Sequence, residues 1–265
     1  MFRHSKANEP LHMTELFEVM GTTVTFDIYV DSPGLLRSDS PLTAALTSSK
    51  QSLVQADLRF STYKADSWIS LNRPLGVAKH QPSDVRYVLE VCDYLKTITR
   101  GAFDHHYLGS GVDPTGVVKG WAVERALSYL KLEGVRGAII NGAGDIASFG
   151  ALREGERFSF GVVDPLDKSK LAFAIQGADS VATSALYERG NHIIDPRYPS
   201  RTIENLSATV IGPSLTMADG LATAVFVAGL EIFDVIEGLE GYECGLTKGD
   251  GCLDAPRAFP FKRKP

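Results

Sequence analysis

A series of short apolar segments in the second half of this 265-residue chain constrains its fold more than any other feature. The pattern predicts strands near residues 135–141, 158–164, 171–176, 180–187, 191–195 and 206–212. Amphipathic periodicity predicts helices over residues 42–60, 83–98, 119–134 and 216–228, and a short one near 230–238. Because strands and helices are mixed without strict alternation, we expect an α+β domain with mixed or antiparallel sheets flanked by helices, and not a doubly wound parallel sheet.

Individual residues and short patterns support several of these predicted helices and strands. Apolar side chains alternate from Val24 to Val30, which predicts a half-buried strand over residues 19–30. Ser83 is a suitable N-cap for the second helix. Lys119 lies near the predicted start of the third helix, where a cation opposes the helix dipole. This position suggests that Lys119 binds an anion, although an exposed surface lysine is the simpler explanation.

The charge balance argues against nucleic-acid binding, because Lys and Arg total 27 against 32 Asp and Glu, for a formal net charge of -5. The three cysteines are scattered, which is not typical of a disulfide framework or a zinc site and suits a reducing compartment. No apolar stretch reaches the ~18 residues of a membrane helix, and residues 1–13 lack the apolar core of a signal peptide. We therefore expect a cytoplasmic protein without membrane insertion. Its predicted parts are a flexible N-terminal segment at 1–16, a single domain at 17–255 and a basic tail at 256–265.

Asp219 and Thr223 form the first candidate site. Residues four apart share one face of a helix, so this carboxylate and this hydroxyl would face the same ligand. Both are hard oxygen donors of the kind that Mg²⁺ prefers. Taken alone, the pair also fits an ordinary acidic helix N-terminus, which favours the helix dipole.

Glycine, histidine and acidic residues occur together in three further segments. The main chain of residues 141–145, Asn-Gly-Ala-Gly-Asp, could approach an anion closely or form only a tight turn between strands. His192, three residues before Asp195, could accept a proton from an attacking hydroxyl or form only a hydrogen bond at a strand edge. His105 and His106 are adjacent on a segment predicted to be extended, so we expect them to point in opposite directions and to face solvent.

The order of these motifs along the chain resembles that of one protein family. The segments that carry the resemblance are Met20-Gly21-Thr22, Phe60-Ser61-Thr62-Tyr63, Asp66-Ser67 with Asn72, Gly101-Ala102-Phe103-Asp104, Lys119-Gly120-Trp121-Ala122, Asn141-Gly142-Ala143-Gly144-Asp145, Ala182-Thr183-Ser184, His192-Ile193-Ile194-Asp195-Pro196 and Ala218-Asp219-Gly220-Leu221-Ala222-Thr223. Together they resemble the FAD:protein FMN transferases, also called ApbE-like flavin transferases, over residues 17–250.

The resemblance implies one α+β domain with an FAD cleft between two lobes. It also implies that FAD is a substrate, that Mg²⁺ is required, and that the FMN half is moved onto a Ser or Thr hydroxyl of an acceptor flavoprotein with release of AMP. The residues implied in FAD binding are Met20, Tyr63, Ala102, Phe103, Asp104, Glu124, Gly142, Asp145, Thr183 and Ser184. The implied metal ligands are Asp219, Thr223 and the Val123 carbonyl; the implied catalytic residues are His192 as the base, Asp195 as a supporting group and Lys119 as a further positive charge.

The sequence departs from the family pattern at four places. Ala143 and Ala185 replace glycines, Glu124 replaces an aspartate that holds the adenosine part, and Arg197-Tyr198-Pro199-Ser200 stands where the family has Thr-Gly-x-Pro. Two other functions would use most of the same residues. One is an FAD pyrophosphatase, in which water replaces the acceptor hydroxyl, and the other is a non-catalytic FAD-binding protein. A domain with only chance motif matches is the last alternative, and the number of ordered matches argues against it.

Overall fold

The computed structural model describes residues 11–72, 81–106, 111–153, 155–185 and 193–255, and the backbone of 261–262. Its helices are α1 (Pro41–Phe60), α2 (Trp68–Asn72), α3 (Ser83–Ile98), α4 (Thr115–Ser128), α5 (Leu215–Ala228) and α6 (Phe233–Glu237), with 3-10 turns at Pro33–Leu36 and Gly229–Ile232. Its strands are β1 (Leu11–Val19), β2 (Thr22–Val30), β3 (Val135–Gly142), β4 (Asp145–Gly150), β5 (Ser159–Val163), β6 (Leu171–Gln176), β7 (Ser180–Ala185), β8 (Ser207–Gly212), β9 (Glu243–Thr247), β10 (Leu253–Asp254) and β11 (Phe261–Lys262). These elements confirm the predicted α+β class.

Two antiparallel sheets organise the described residues. The larger has the order β1-β2-β3-β4-β7-β8-β9-β10, and the smaller has the order β11-β6-β5. Two-residue turns join the first hairpins, at Met20-Gly21 between β1 and β2 and at Ala143-Gly144 between β3 and β4. All four turn residues have positive φ, as tight hairpin turns require.

The larger sheet is covered on both faces. On β3, Ala138 and Ile140 belong to the main apolar core, which includes buried side chains of α1, α4 and α5. Ile139 lies between them and packs against a second cluster that contains Phe160 and Phe173 of the smaller sheet. Since alternate residues of a strand point to opposite faces, the helices cover one face and the smaller sheet covers the other.

Several element boundaries differ from the predicted ones. The third helix begins at Thr115 and ends at Ser128, so Lys119 lies in its second turn and not at its start. Ser83 is the first helical residue of α3, and the cap position is Pro82, which makes no side-chain capping bond. The strand predicted at 191–195 is absent from its described part, 193–195, which has no regular structure.

The predicted terminal segments also need correction. Residues 11–16, predicted as part of a flexible segment, form most of strand β1 and pair with β2. The apolar alternation is weak in this strand because none of its side chains is fully buried. Within the basic tail, residues 261–262 pair with β6. Among the described residues, no helix has the length and apolar character needed to cross a membrane.

Candidate functional site

A cavity of about 150 Å³ opens where the first turns of α4 meet α5 and the end of β7. The residues that line it are Ala102, Phe103, Asp104, Asp113, Thr115, Gly116, Lys119, Thr183, Ser184, Ala185, Ile193, Ile194, Pro196, Asp219 and Thr223. The structure therefore brings together eight of the residues singled out from the sequence: Ala102, Phe103, Asp104, Lys119, Thr183, Ser184, Asp219 and Thr223.

The oxygen donors of α5 face this cavity. Asp219 and Thr223 both line it, and Asp219 is only 8% exposed. The Thr223 hydroxyl lies 3.2 Å from the Ser184 hydroxyl of β7. A carboxylate and two hydroxyls therefore meet on one wall, which is a set of hard oxygen ligands suited to Mg²⁺.

The position of Asp219 depends on close packing between α4 and α5. The Gly120 amide donates a hydrogen bond of 2.8 Å to Asp219 Oδ2. A Cβ at Gly120 would lie 2.5 Å from the Leu215 carbonyl oxygen, so no larger residue fits at this crossing. Gly116, one turn earlier on α4, meets the same cavity, and a Cβ there would lie 2.9 Å from the Phe103 ring and 3.6 Å from Thr223 Oγ1.

Lys119 is held by the β3–β4 hairpin. Its ammonium lies 2.9 Å from Asp145 Oδ2, and the Asp145 side chain is 2% exposed. The Thr183 amide donates a longer hydrogen bond of 3.4 Å to the other Asp145 oxygen. Neither Asp145 nor Gly142 lines the cavity, so Asp145 acts on the cavity through Lys119. The glycine-rich segment forms a tight turn between β3 and β4.

Another part of the cavity wall comes from the segment after α3. The Thr99 hydroxyl accepts a hydrogen bond of 3.1 Å from the Phe103 amide, which fixes this segment against the end of α3. Asp104 forms a 2.9 Å ion pair with Lys96. Burial alone would raise the pKa of Asp104, but the hydrogen bonds from Lys96 and from the His106 amide hold the pKa below its ordinary value. Asp104 therefore lines the cavity as a carboxylate.

Met20 and Tyr63 lie in a neighbouring depression of about 60 Å³. This depression shares Thr115 and Lys119 with the main cavity, so the two adjoin at the start of α4. The Tyr63 side chain is 87% exposed, which leaves its ring available for stacking.

Two residues implied by the resemblance lie away from the cavity. Val123 is 1% exposed in the middle of α4, where its side chain contacts Gly142 of the hairpin. The Glu124 carboxylate accepts hydrogen bonds from the Thr216 amide at 2.8 Å, from the Ser214 hydroxyl at 2.9 Å and from the Thr216 hydroxyl. These donors form the N-terminus of α5, where an anion is favoured by the exposed amides and the helix dipole. Glu124 therefore anchors the helix that carries Asp219, and neither residue reaches the cavity.

Asp195 also acts as an anchor. Its side chain is fully buried and accepts hydrogen bonds from the Arg197 amide, Nε and Nη2 at 3.0, 3.0 and 2.9 Å. Burial would raise the pKa of Asp195, but the Arg197 hydrogen bonds and charge hold it below the ordinary value. Ile194 and Pro196 on either side line the cavity, so this ion pair fixes the cavity wall. Arg197 belongs to the segment that departs from the family pattern.

The two neighbouring histidines, His105 and His106, differ from their predicted arrangement, whereas the prediction for His192 is not tested. His192 lies outside the described residues. His105 and His106 do not point in opposite directions, because they occupy a turn and their ring centroids are 4.1 Å apart. His105 is buried, with 2% of its surface exposed, and only His106 faces solvent. Burial, together with the charge of His106, lowers the pKa of His105 to about 4.

Some cavity residues were not singled out from the sequence as site residues. They are Asp113, Thr115, Gly116, Ala185, Ile193, Ile194 and Pro196. Gly116 could have been identified from the sequence, since a glycine after Asp113-Pro114-Thr115 at a helix start is compatible with a close approach between the main chain and a ligand. The apolar residues carried no such signal, because isoleucine is most often a core residue.

Comparison with known proteins places this geometry in a family. The family model described as "ApbE family" matches residues 106–245. An FAD:protein FMN transferase of Vibrio cholerae is 33% identical over 132 residues, which cover 45% of this chain and 39% of that protein. The corresponding protein of Treponema pallidum is 30% identical over 176 residues, covering 58% of this chain and 45% of that protein. The chain thus spans less than half the length of the curated relatives it matches.

Solved structures share the fold over nearly the whole chain. The flavin transferase ApbE from Vibrio cholerae superposes with a TM-score of 0.80 at 23% identity, covering 96% of this chain and 100% of that one. The ApbE protein from Thermotoga maritima gives a TM-score of 0.78 at 19% identity, covering 95% and 100%. At these identities the superpositions establish the fold alone. Since the family model covers more than half of the residues, this chain belongs to the ApbE family.

Proposed function

We propose that this protein is an FAD:protein FMN transferase that moves the FMN half of FAD onto a Ser or Thr hydroxyl of an acceptor flavoprotein and releases AMP. The observation that carries the proposal is the meeting of Asp219, Thr223 and Lys119 in one cavity. Oxygen donors and a cation in the same cavity suit a pyrophosphate bound with Mg²⁺. Membership of the ApbE family and the names of the curated relatives support the same activity.

The residues around Asp219 fit a magnesium ion. The Asp219 carboxylate and the Thr223 and Ser184 hydroxyls supply hard oxygen donors. We assign the main-chain contact from α4 to Gly116 and not to Val123, because Gly116 lines the cavity next to Thr223 and Val123 does not. Bound Mg²⁺ would neutralise charge that develops on the pyrophosphate oxygens.

The protein's own groups would orient and bind FAD. The Lys119 ammonium, fixed by buried Asp145, gives a positive charge at the junction of the two cavities, where we place the pyrophosphate. The exposed ring of Tyr63 offers a flat surface for one aromatic end of FAD, and Phe103 contributes to the wall of the larger cavity. Glu124 has no direct part in this proposal, since α5 already binds its carboxylate.

The chemical step is a transfer between two oxygen atoms. The acceptor hydroxyl oxygen attacks the phosphorus of the FMN half, the anhydride bond to the AMP phosphate breaks, and AMP leaves with the bridging oxygen. We propose that His192 accepts the hydroxyl proton, as the family motif around Asp195 implies. The Asp195–Arg197 pair fixes the wall next to this motif. All three cysteines are free, which is compatible with the proposed cytoplasmic location.

A product assay separates this proposal from the two alternatives. The purified chain is incubated with FAD and Mg²⁺, with and without an acceptor domain carrying a flavinylation Ser or Thr, and AMP, FMN and protein-bound flavin are quantified. A transferase gives AMP and covalent flavin in equal amounts, only with the acceptor. A pyrophosphatase gives AMP and free FMN without it, and a flavin-binding protein gives no AMP at all. Either of the last two results would overturn the proposal.

The role of His192 has a separate test. His192→Ala should slow transfer strongly while FAD affinity, measured by flavin fluorescence, changes little. Removal of a general base typically costs about 10²–10⁴-fold in rate. An equal loss of affinity and rate would make His192 a binding residue and not a base.

A further inference from the structure

A second group of metal-ligand side chains lies outside the cavity, where α3 meets the turn that follows Asp104. Asp93, His105 and His106 each contribute one ligand-type atom, and the three atoms lie within 4.8 Å of one another. His105 Nε2 is 3.6 Å from Asp93 Oδ1. Two ligands of a tetrahedral Zn²⁺ ion, with bonds near 2.1 Å, lie about 3.4 Å apart. We propose that these three residues bind a divalent transition-metal ion of the Zn²⁺ type, at a site distinct from that of Mg²⁺.

The state of His105 is the main support for the site. The residue is 2% exposed, and its Nδ1 has no hydrogen-bond partner among the residues that the structure describes. The 3.6 Å contact of Nε2 with Asp93 is longer than a hydrogen bond. Buried polar groups are almost always bonded, so a buried imidazole that forms no side-chain hydrogen bond with the described residues calls for a ligand. Coordination of one ring nitrogen would supply it.

His106 is already held in a form that suits coordination. Its Nδ1 lies 3.3 Å from the Gly111 carbonyl oxygen. A carbonyl oxygen can only accept, so this contact requires the proton on Nδ1, and in the neutral ring Nε2 then keeps its lone pair for a metal ion. A hydrogen bond from the second ring nitrogen to a main-chain carbonyl is the usual support for a metal-bound histidine.

The ligand set selects the kind of ion. Two imidazoles with one carboxylate suit Zn²⁺ and its transition-metal neighbours, whereas Mg²⁺ prefers an all-oxygen site. Lys96, whose charge acts on His105, forms an ion pair with Asp104, which offsets that charge. Asp104 also accepts a hydrogen bond of 2.9 Å from the His106 amide. A bound ion would therefore link α3 to the segment that carries Asp104 to the cavity wall.

The test uses Zn²⁺ itself, titrated into the full chain in competition with a chromogenic chelator. We expect one Zn²⁺ per chain, with the melting temperature raised by the ion. Asp93→Asn and His106→Ala change exposed residues and should leave the fold intact by circular dichroism. Each should weaken Zn²⁺ binding by at least about tenfold and remove the increase in melting temperature.

Two controls localise the ion. Glu90→Gln changes an exposed acidic residue on the same helix and should leave Zn²⁺ affinity unchanged. Asp219→Ala should also retain Zn²⁺, and excess Mg²⁺ should not displace it, because the two sites differ in ligands. The proposal fails if the chain binds no Zn²⁺ in competition with the chelator, or if Asp93→Asn and His106→Ala bind it as tightly as the wild type.

Discussion

The main-chain amide of Gly120 on α4 donates a 2.8 Å hydrogen bond to the carboxylate of Asp219 on α5. A Cβ at position 120 would lie 2.7 Å from the Asp219 Cβ. Gly120→Ala is therefore expected to separate the helices and to lower the free energy of unfolding by about 1–3 kcal/mol. It should also raise the Mg²⁺ concentration needed for AMP release. Urea unfolding and a Mg²⁺ titration of AMP release measure the two effects.

Gly238→Ala is the matched control for this substitution. A Cβ there would meet no atom closer than the Asp234 carbonyl oxygen at 3.4 Å, which is ordinary contact. Its unfolding free energy should remain within about 0.5 kcal/mol of the wild type. If Gly120→Ala were equally stable, the inference that α4 and α5 pack closely at Gly120 would be contradicted.

Glu124 is expected to stabilise the protein and not to bind adenosine. Glu124→Ala removes the acceptor for three donors at the start of α5, so the free energy of unfolding should fall by about 2–3 kcal/mol. FAD affinity should change much less. Chemical denaturation and flavin fluorescence test the two parts, with exposed Glu133→Ala as the control. A large loss of FAD affinity with unchanged stability would restore the adenosine role that the family resemblance implied.

Lys119 and Asp145 should show strong coupling. Lys119→Met leaves the buried Asp145 carboxylate without its ion-pair partner, which should cost about 3 kcal/mol in unfolding free energy. The double variant Lys119→Met/Asp145→Asn removes both charges and should recover most of that stability. It should not recover FMN transfer, because the cation at the cavity is still missing. Recovery of transfer in the double variant would show that Lys119 has only a structural role.

The Asp195–Arg197 pair should make stability depend on pH. The pKa of Asp195 is held below its ordinary value in the folded protein. The carboxylate therefore contributes to the free energy of unfolding above the unfolded pKa, near 3.9, and this contribution is lost as the pH falls through the folded pKa. The difference in unfolding free energy between wild type and Arg197→Gln should therefore reach its maximum above pH ~4 and decrease below it. Arg157→Gln, which breaks the exposed pair with Asp179, should cost under about 0.5 kcal/mol at any pH. A difference for Arg197→Gln that does not vary with pH would contradict the lowered pKa.

Local sequence patterns predicted the parts of this molecule that depend on local geometry. Strand β6 has the predicted bounds, because apolar alternation and flanking turn residues mark it clearly. Asp219 and Thr223 share a cavity because residues four apart share a helix face. Ala143 has φ of 54°, so this turn requires the left-handed conformation, which the glycine of the family pattern adopts without strain.

Contacts between elements determine the side-chain orientations that the sequence alone could not predict. The predicted start of α4 was four residues late. The periodicity therefore could not predict which residues of α4 face α5. Val123 faces the hairpin and Glu124 faces the α5 N-terminus, and both orientations follow from how the helices cross. The two neighbouring histidines were expected to diverge as in a strand, whereas a turn brings their rings together.

Mass spectrometry of an acceptor domain gives the most direct test of the proposed transfer. The domain should be one that the Vibrio cholerae transferase labels under the same conditions. After incubation with this chain, FAD and Mg²⁺, the acceptor should carry one covalent FMN for each AMP released. Removal of Mg²⁺ with EDTA, or the substitution Asp219→Ala in a chain that still folds, should abolish the mass increase. An acceptor that remains unlabelled by the wild-type chain, or is labelled equally by Asp219→Ala, would contradict the account.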